Sequence, residues 1–123
     1  MANPVMRDIG IAFQYELFCR QREAGTWPIV VDSAILLQAP EMVLTRLCAL
    51  CGLGYEQRMA HWPAGPKSYD GVWAPYWYAN AHRSTGFAAP SPAPSLTLAP
   101  HLKGLHQDAQ RLYEKLRSFS LKA

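Results

Sequence analysis

One run of residues, Trp27-Pro28-Ile29-Val30-Val31-Asp32, most narrows what this chain can become. It is β-branched and does not alternate with polar residues, so residues 28–32 are predicted to form a strand buried on both faces, as in a parallel sheet. No other segment of the 123 residues carries a convincing strand pattern. A lone strand cannot satisfy its own backbone donors and acceptors. The run is therefore either an extended linker or one strand of a sheet whose neighbours lie on another polypeptide.

The rest of the pattern is helical or broken. Residues 6–24 have helical composition, with Gly25 as the stop. Met6, Ile9, Phe13 and Leu17 make the expected face, while Ile11, Tyr15 and Phe18 add apolar surface away from it, so this helix needs cover on more than one side. Asp32 or Ser33 can cap a turn through Ile35, Leu36 and Leu37. Residues 40–60 are expected to be helical. Pro40 suits the first position of a helix that buries Val43, Leu44, Leu47, Cys48 and Cys51 and stops at Gly52, and a second short helix covers Tyr55 to Ala60. Residues 61–87 are loop-rich, with a short helix from Pro75 to about Arg83, and residues 88–100 form a Pro/Ser/Ala linker. Leu102, Leu105, Ala109, Leu112, Leu116 and Phe119 then recur at steps of three and four, which predicts an amphipathic helix over 101–119. The chain reads as one domain, 1–123, mainly α with one short strand.

Half of the residues are hydrophobic, 17% are charged and the net charge is +3, so neither a disordered chain nor a polyanion-binding tail is the default reading. The surplus lies after Pro100, where five basic residues face two acidic ones; it is too slight for nucleic acid, and no nucleic-acid partner is expected. No segment approaches the roughly 18 apolar residues of a membrane span, and the start has no apolar secretory segment. Three cysteines are too few, and odd in number, for a disulfide framework. These features point to a cytoplasmic protein with reduced thiols and no membrane partner. Cys48-x-x-Cys51 lacks the second half of a metal site and reads as core packing, so no metal is expected.

The four histidines, His61, His82, His101 and His106, belong to no ordered catalytic motif and read as surface or capping residues. Gly65-Pro66-Lys67-Ser68 lacks the spacing and the preceding strand of a phosphate-binding loop, and no catalytic residue can be assigned. The most distinctive segment is 61–87, which holds seven of the fourteen aromatic residues: Trp62, Tyr69, Trp73, Tyr76, Trp77, Tyr78 and Phe87. Interleaved with Lys67, His82 and Arg83, they can either stack on a nucleotide or anchor a loop to a core.

Two blocks carry a resemblance. VVDSAILLQAPEMVLTRLCALCGLGYEQRM is similar to the strand, D/E-x-L, x-x-P, helix and G-[LI] segment of P-loop sulfotransferases. WPAGPKSYDGVWAPYWYANAHRSTGF resembles the block that follows it in a bacterial and plant sulfotransferase-like branch, and LHQDAQRLYEKLRSF resembles the final helix of that branch. The resemblance covers residues 7 to 123 and matches the C-terminal half of the family domain. It implies an α/β P-loop fold around a parallel sheet, of which this chain supplies the mainly helical part, and a donor that is 3′-phosphoadenylyl sulfate. The family's basic-Gly-x-Trp loop over the donor's 3′-phosphate is similar to Lys67-Ser68-Tyr69-Asp70-Gly71-Val72-Trp73, which makes Lys67 the phosphate contact and Gly71 and Trp73 the residues that shape the loop. The family's usual basic pair is one lysine here, and its Tyr-Glu near the adenine is Asp32-Ser33.

The glycine-rich loop that holds the phosphosulfate is absent from the sequence. The resemblance therefore implies a nucleotide-lid half, inactive and without cofactor alone, that takes the donor only when a complementing N-terminal half supplies the loop. The other expectation is a small helical, non-enzymatic interaction protein that buries its surplus apolar surface in a homodimer.

Overall fold

The computed structural model describes residues 3–122. Mainly helical, it has no sheet among the described residues, only two isolated β-bridges. The helices are α1 (Met6–Ile9), α2 (Ile11–Glu23), α3 (Ser33–Gln38), α4 (Pro40–Leu50), α5 (Ala74–Trp77), α6 (Ala79–Arg83) and α7 (Lys103–Arg117), with 3₁₀ turns at Gln57–Met59 and Pro100–Leu102. None is long and apolar enough to cross a membrane. They fall into two compact units, the first made by the chain up to Asp32 together with Pro92–Leu121, the second mainly by Ser33–Ser91.

In the first unit the expected single helix over 6–24 is broken. Gly10 sits at φ 78°, a left-handed conformation that glycine adopts without the penalty of a Cβ, and it both ends α1 and begins α2. The packing of α2 also reverses the expected faces. Phe13 and Leu17 stand 58% and 57% exposed, whereas Ile11 and Tyr15 are half-buried and Phe18 is buried. Phe18 is chosen by its partner: its ring meets Phe119 at 4.8 Å between centroids, with Leu116 of α7 also buried. The Arg22 guanidinium covers the far side, 3.7 Å from the Trp27 ring and 5.1 Å from Phe119, which adds a cation–π attraction to the apolar contact. Along α7 the seam follows the predicted period, with Leu105, Ala109 and Leu112 half-buried and Leu116 buried; Leu102, in the turn before the helix, is half-buried, whereas Phe119, expected in the same seam, lies beyond Arg117 and is 47% exposed.

The predicted strand 28–32 is reduced to one parallel bridge, Val30 with Ser120, closed by the Leu121 N–H donating to the Val30 carbonyl at 3.0 Å. It is not buried on both faces: Ile29 and Val31 stand 42% and 38% exposed beside half-buried Val30. Successive side chains of an extended segment point to opposite faces, so a single bridge covers one face and leaves the other. Asp32 is the buried end of this segment, its side chain 3% exposed. The Tyr113 hydroxyl donates to its carboxylate at 2.5 Å, and the Arg117 guanidinium lies 3.9 Å away. The hydrogen bond to Asp32 pushes the Tyr113 phenol above its usual range, because losing that proton would set two negative charges together.

In the second unit, Pro40 occupies the first turn of α4 and the helix stops at Gly52, with the Leu53 N–H donating to the Cys48 carbonyl. Val43 and Cys48 are buried, and the Cys48 thiol meets the Met59 sulfur at 3.7 Å. Cys51, expected in the core, is exposed, so the two thiols occupy different surroundings. The helix expected over 55–60 is only the turn Gln57–Met59. The Tyr55 hydroxyl is buried with no hydrogen-bond partner among the described residues. An unpaired buried hydroxyl costs about 1–3 kcal/mol, so Tyr55→Phe should leave the urea midpoint unchanged or raise it. A lower midpoint would mean that the hydroxyl has a partner.

Candidate functional site

The aromatic segment is held by a short antiparallel contact. His61 and Gly86 form a bridge, and the Trp62 N–H donates to the Thr85 carbonyl at 3.0 Å. The Trp62 indole N–H donates to Ser84 Oγ at 2.9 Å, and its ring meets Phe87 edge-on at 5.4 Å. Gly86 is demanded by this approach: a Cβ there would lie 2.9 Å from the Ala60 carbonyl oxygen. Trp62 and Phe87 thus serve as packing anchors. Tyr69, Trp73, Tyr76 and Trp77 do not; all four are exposed, with Trp73 and Trp77 paired at 6.1 Å.

Between these two groups runs the loop from Pro63 to Gly71. The Lys67 N–H donates to Asp70 Oδ2 at 2.7 Å, and the Asp70 N–H returns a bond to the Lys67 carbonyl at 3.1 Å. The same Oδ2 lies 2.8 Å from His82 Nε2, and the His82 carbonyl accepts the Gly65 N–H at 2.6 Å. His82, read from the sequence as a surface or capping residue, is therefore the tie between this loop and α6, its side chain 22% exposed against 16% for Asp70. The backbone N–H of Lys67, then the His82 imidazole, hold the Asp70 carboxyl below its usual range, against the opposing effect of burial. A depressed carboxyl stabilises the fold above its ordinary pKa of about 3.9 and loses that contribution as pH falls through the folded value. The loop should therefore hold at neutral pH and loosen below about pH 4, seen as a change in tryptophan emission that Asp70→Asn no longer shows at that pH.

The three residues expected to serve a nucleotide lie together in this segment. The Lys67 ammonium donates to the Pro63 carbonyl at 2.6 Å. An ammonium has three N–H donors, so two remain for an oxygen of an incoming phosphate. At Gly71 an added Cβ would meet nothing within 4 Å, leaving its backbone open to approach, and Trp73 is 64% exposed. Lys67 can make a single charge-assisted contact to a phosphate, and the exposed Trp73 ring can stack. They do not form an enclosed cradle. Asp32 meets Tyr113 and Arg117 of α7.

A second polar cluster lies along the Gly86 bridge. His61 Nε2 is 3.0 Å from Glu41 Oε1, at a cleft of about 450 Å³ also lined by Arg83, Ser84 and Phe87. Both members of this pair are more than 45% exposed, so it is more strongly screened by solvent than the Asp70–His82 pair. His101 and His106 are exposed.

The mainly helical fold is consistent with a known class. The chain belongs to the sulfotransferase domain family, whose model matches residues 3–118. It is 35% identical over 115 residues to branched-chain-amino-acid aminotransferase-like protein 1 of Arabidopsis thaliana, and 34% identical over 110 residues to the aminotransferase-like protein 2 of the same plant. These matches take in 94% and 89% of this chain but 20% of each relative. The chain thus spans about a fifth of the length of the curated relatives it matches. No solved structure matches it.

Proposed function

We propose that this chain contributes the nucleotide lid of a sulfotransferase-type site. Lys67 supplies the phosphate contact, and Gly71 and Trp73 shape the loop around it. The observation that carries this reading is the Pro63–Gly71 loop, whose single lysine keeps two donors to spare and whose Gly71 backbone is open, followed by an exposed indole at Trp73. The group held would be 3′-phosphoadenylyl sulfate, which supplies an activated sulfuryl group when bound. This chain's own residues would bind and orient its phosphate end. Charge stabilisation at the sulfuryl group itself needs a glycine-rich loop and its basic partner, and none of the 123 residues offers that motif. Transfer, and binding of the phosphosulfate end of the donor, are accordingly expected only with a complementing N-terminal half; the contact between Lys67 and the 3′-phosphate is what this chain is expected to make by itself.

Calorimetric titration of the chain with adenosine 3′,5′-bisphosphate tests the reading. Saturable binding that Lys67→Ala weakens at least about tenfold supports it, since a charge-assisted contact is worth roughly that much. Heat that is unchanged in Lys67→Ala, or no heat at all, counts against it.

A second reading, a non-enzymatic homodimer, draws on the outward side of α2. Phe13 and Leu17, with Glu16 and Arg20, line an open groove of about 310 Å³ there. Two copies would cover this apolar surface symmetrically. Light scattering separates the readings: a stable dimer dissociated by Leu17→Lys favours the second, and a monomer removes it.

A further inference from the structure

A backbone held still beforehand would let Lys67 meet a phosphate at a lower ordering cost, and the structure supplies a device for this. We infer that Asp70 and His82 are positioning residues for Lys67, an inference that rests on Lys67 being the phosphate contact. The Asp70 carboxylate accepts the Lys67 N–H at 2.7 Å, and the Asp70 N–H donates back to the Lys67 carbonyl at 3.1 Å, closing a four-residue turn. That carboxylate is itself fixed by His82 Nε2 at 2.8 Å. On the other side of Lys67, the Gly65 N–H is taken by the His82 carbonyl at 2.6 Å. One residue of α6 thus ties the loop both before and after the lysine.

The ties are built to last. The His82 side chain is braced by Tyr78, whose ring meets the imidazole edge-on at 5.9 Å. Its pair with Asp70, 22% and 16% exposed, is better shielded than Arg20–Glu16, which stands 73% and 53% exposed. Shielded pairs lose less to salt and water. Fixing the backbone beforehand removes an ordering cost that would otherwise fall on the binding step. Neither residue touches the phosphate in this scheme; both act through Lys67.

Two measurements on the 123-residue chain test this: amide hydrogen exchange at Lys67 and the affinity for adenosine 3′,5′-bisphosphate. Asp70→Ala and His82→Ala should each lower protection of the Lys67 amide and weaken nucleotide affinity by about tenfold, the worth of one charge-assisted hydrogen bond. Protection in α4 and α7 should not change. His82→Gln keeps an N–H donor near the position of Nε2 and should restore both readouts, which a general loss of packing would not allow. Retained Lys67 protection in Asp70→Ala and His82→Ala overturns the tie, and lost protection with unaltered affinity overturns its positioning role. Absence of nucleotide binding by the parent chain instead overturns the lid reading, while the exchange data still decide whether Asp70 and His82 hold the loop.

Discussion

Asp32→Ala is expected to lower the unfolding free energy by about 3 kcal/mol, because it removes a buried carboxylate and strands the groups around it. The Tyr113 hydroxyl, 2.5 Å from Asp32 Oδ2, loses its acceptor, and the Arg117 guanidinium loses its counter-charge. Tyr113→Phe is the informative companion. It deletes the donor and keeps the ring, so it should cost about half as much, in line with a single hydrogen bond to a charged group. The two variants combined should cost less than the sum of their separate effects, since they break the same contact. Urea denaturation with an unchanged slope measures all three. A loss under about 1 kcal/mol for Asp32→Ala would show that the carboxylate is not the tie between the 28–32 segment and α7.

Gly86→Ala should be nearly as damaging, at about 2 kcal/mol, although it adds only one methyl group. That methyl would lie 2.9 Å from the Ala60 carbonyl oxygen, and the obstacle is backbone, which cannot rotate away as a long side chain can. The His61–Gly86 bridge must spread, and the Trp62 N–H contact to Thr85 with it. Tryptophan emission should shift as Trp62 loses its Ser84 bond, while the bonds within α4 remain. A neutral Gly86→Ala would mean that the two segments do not approach this closely.

The legible parts of the fold were those with a repeating physical signal. The α7 seam could be read because its steps of three and four residues repeat over about four turns, and the stops at Gly25 and Gly52 because both adopt a left-handed backbone. The inner face of α2 could not, because spacing alone offered two apolar sets on one helix. What selects Phe18 over Phe13 is Phe119, a ring 101 positions later that no local pattern announces. The partner of Val30 was hidden for a similar reason: Ser-Phe-Ser-Leu has no strand signature, yet its backbone closes the bridge.

At the candidate site, Lys67, Gly71 and Trp73 are proposed through likeness to a family loop. The sequence assigns no role to Asp70, and it reads His82 as a surface or capping residue because an isolated histidine carries no pattern. A faint signal existed. An aspartate three residues after a lysine, in a Gly/Pro-rich stretch, is the composition of a turn closed by its own side chain. Nothing short of the fold brings His82 to that carboxylate.

The exposed Ile29 and Val31, on either side of the one bridged residue, matter beyond the fold. A short β-branched segment with free pairing capacity is a template for edge-to-edge stacking, and such segments govern whether a chain precipitates when it is concentrated. Handling of this protein would therefore gain most from a charge placed there. Lysine at Ile29 would turn an adhesive edge into a self-repelling one at little cost to the buried side, where Val30 sits.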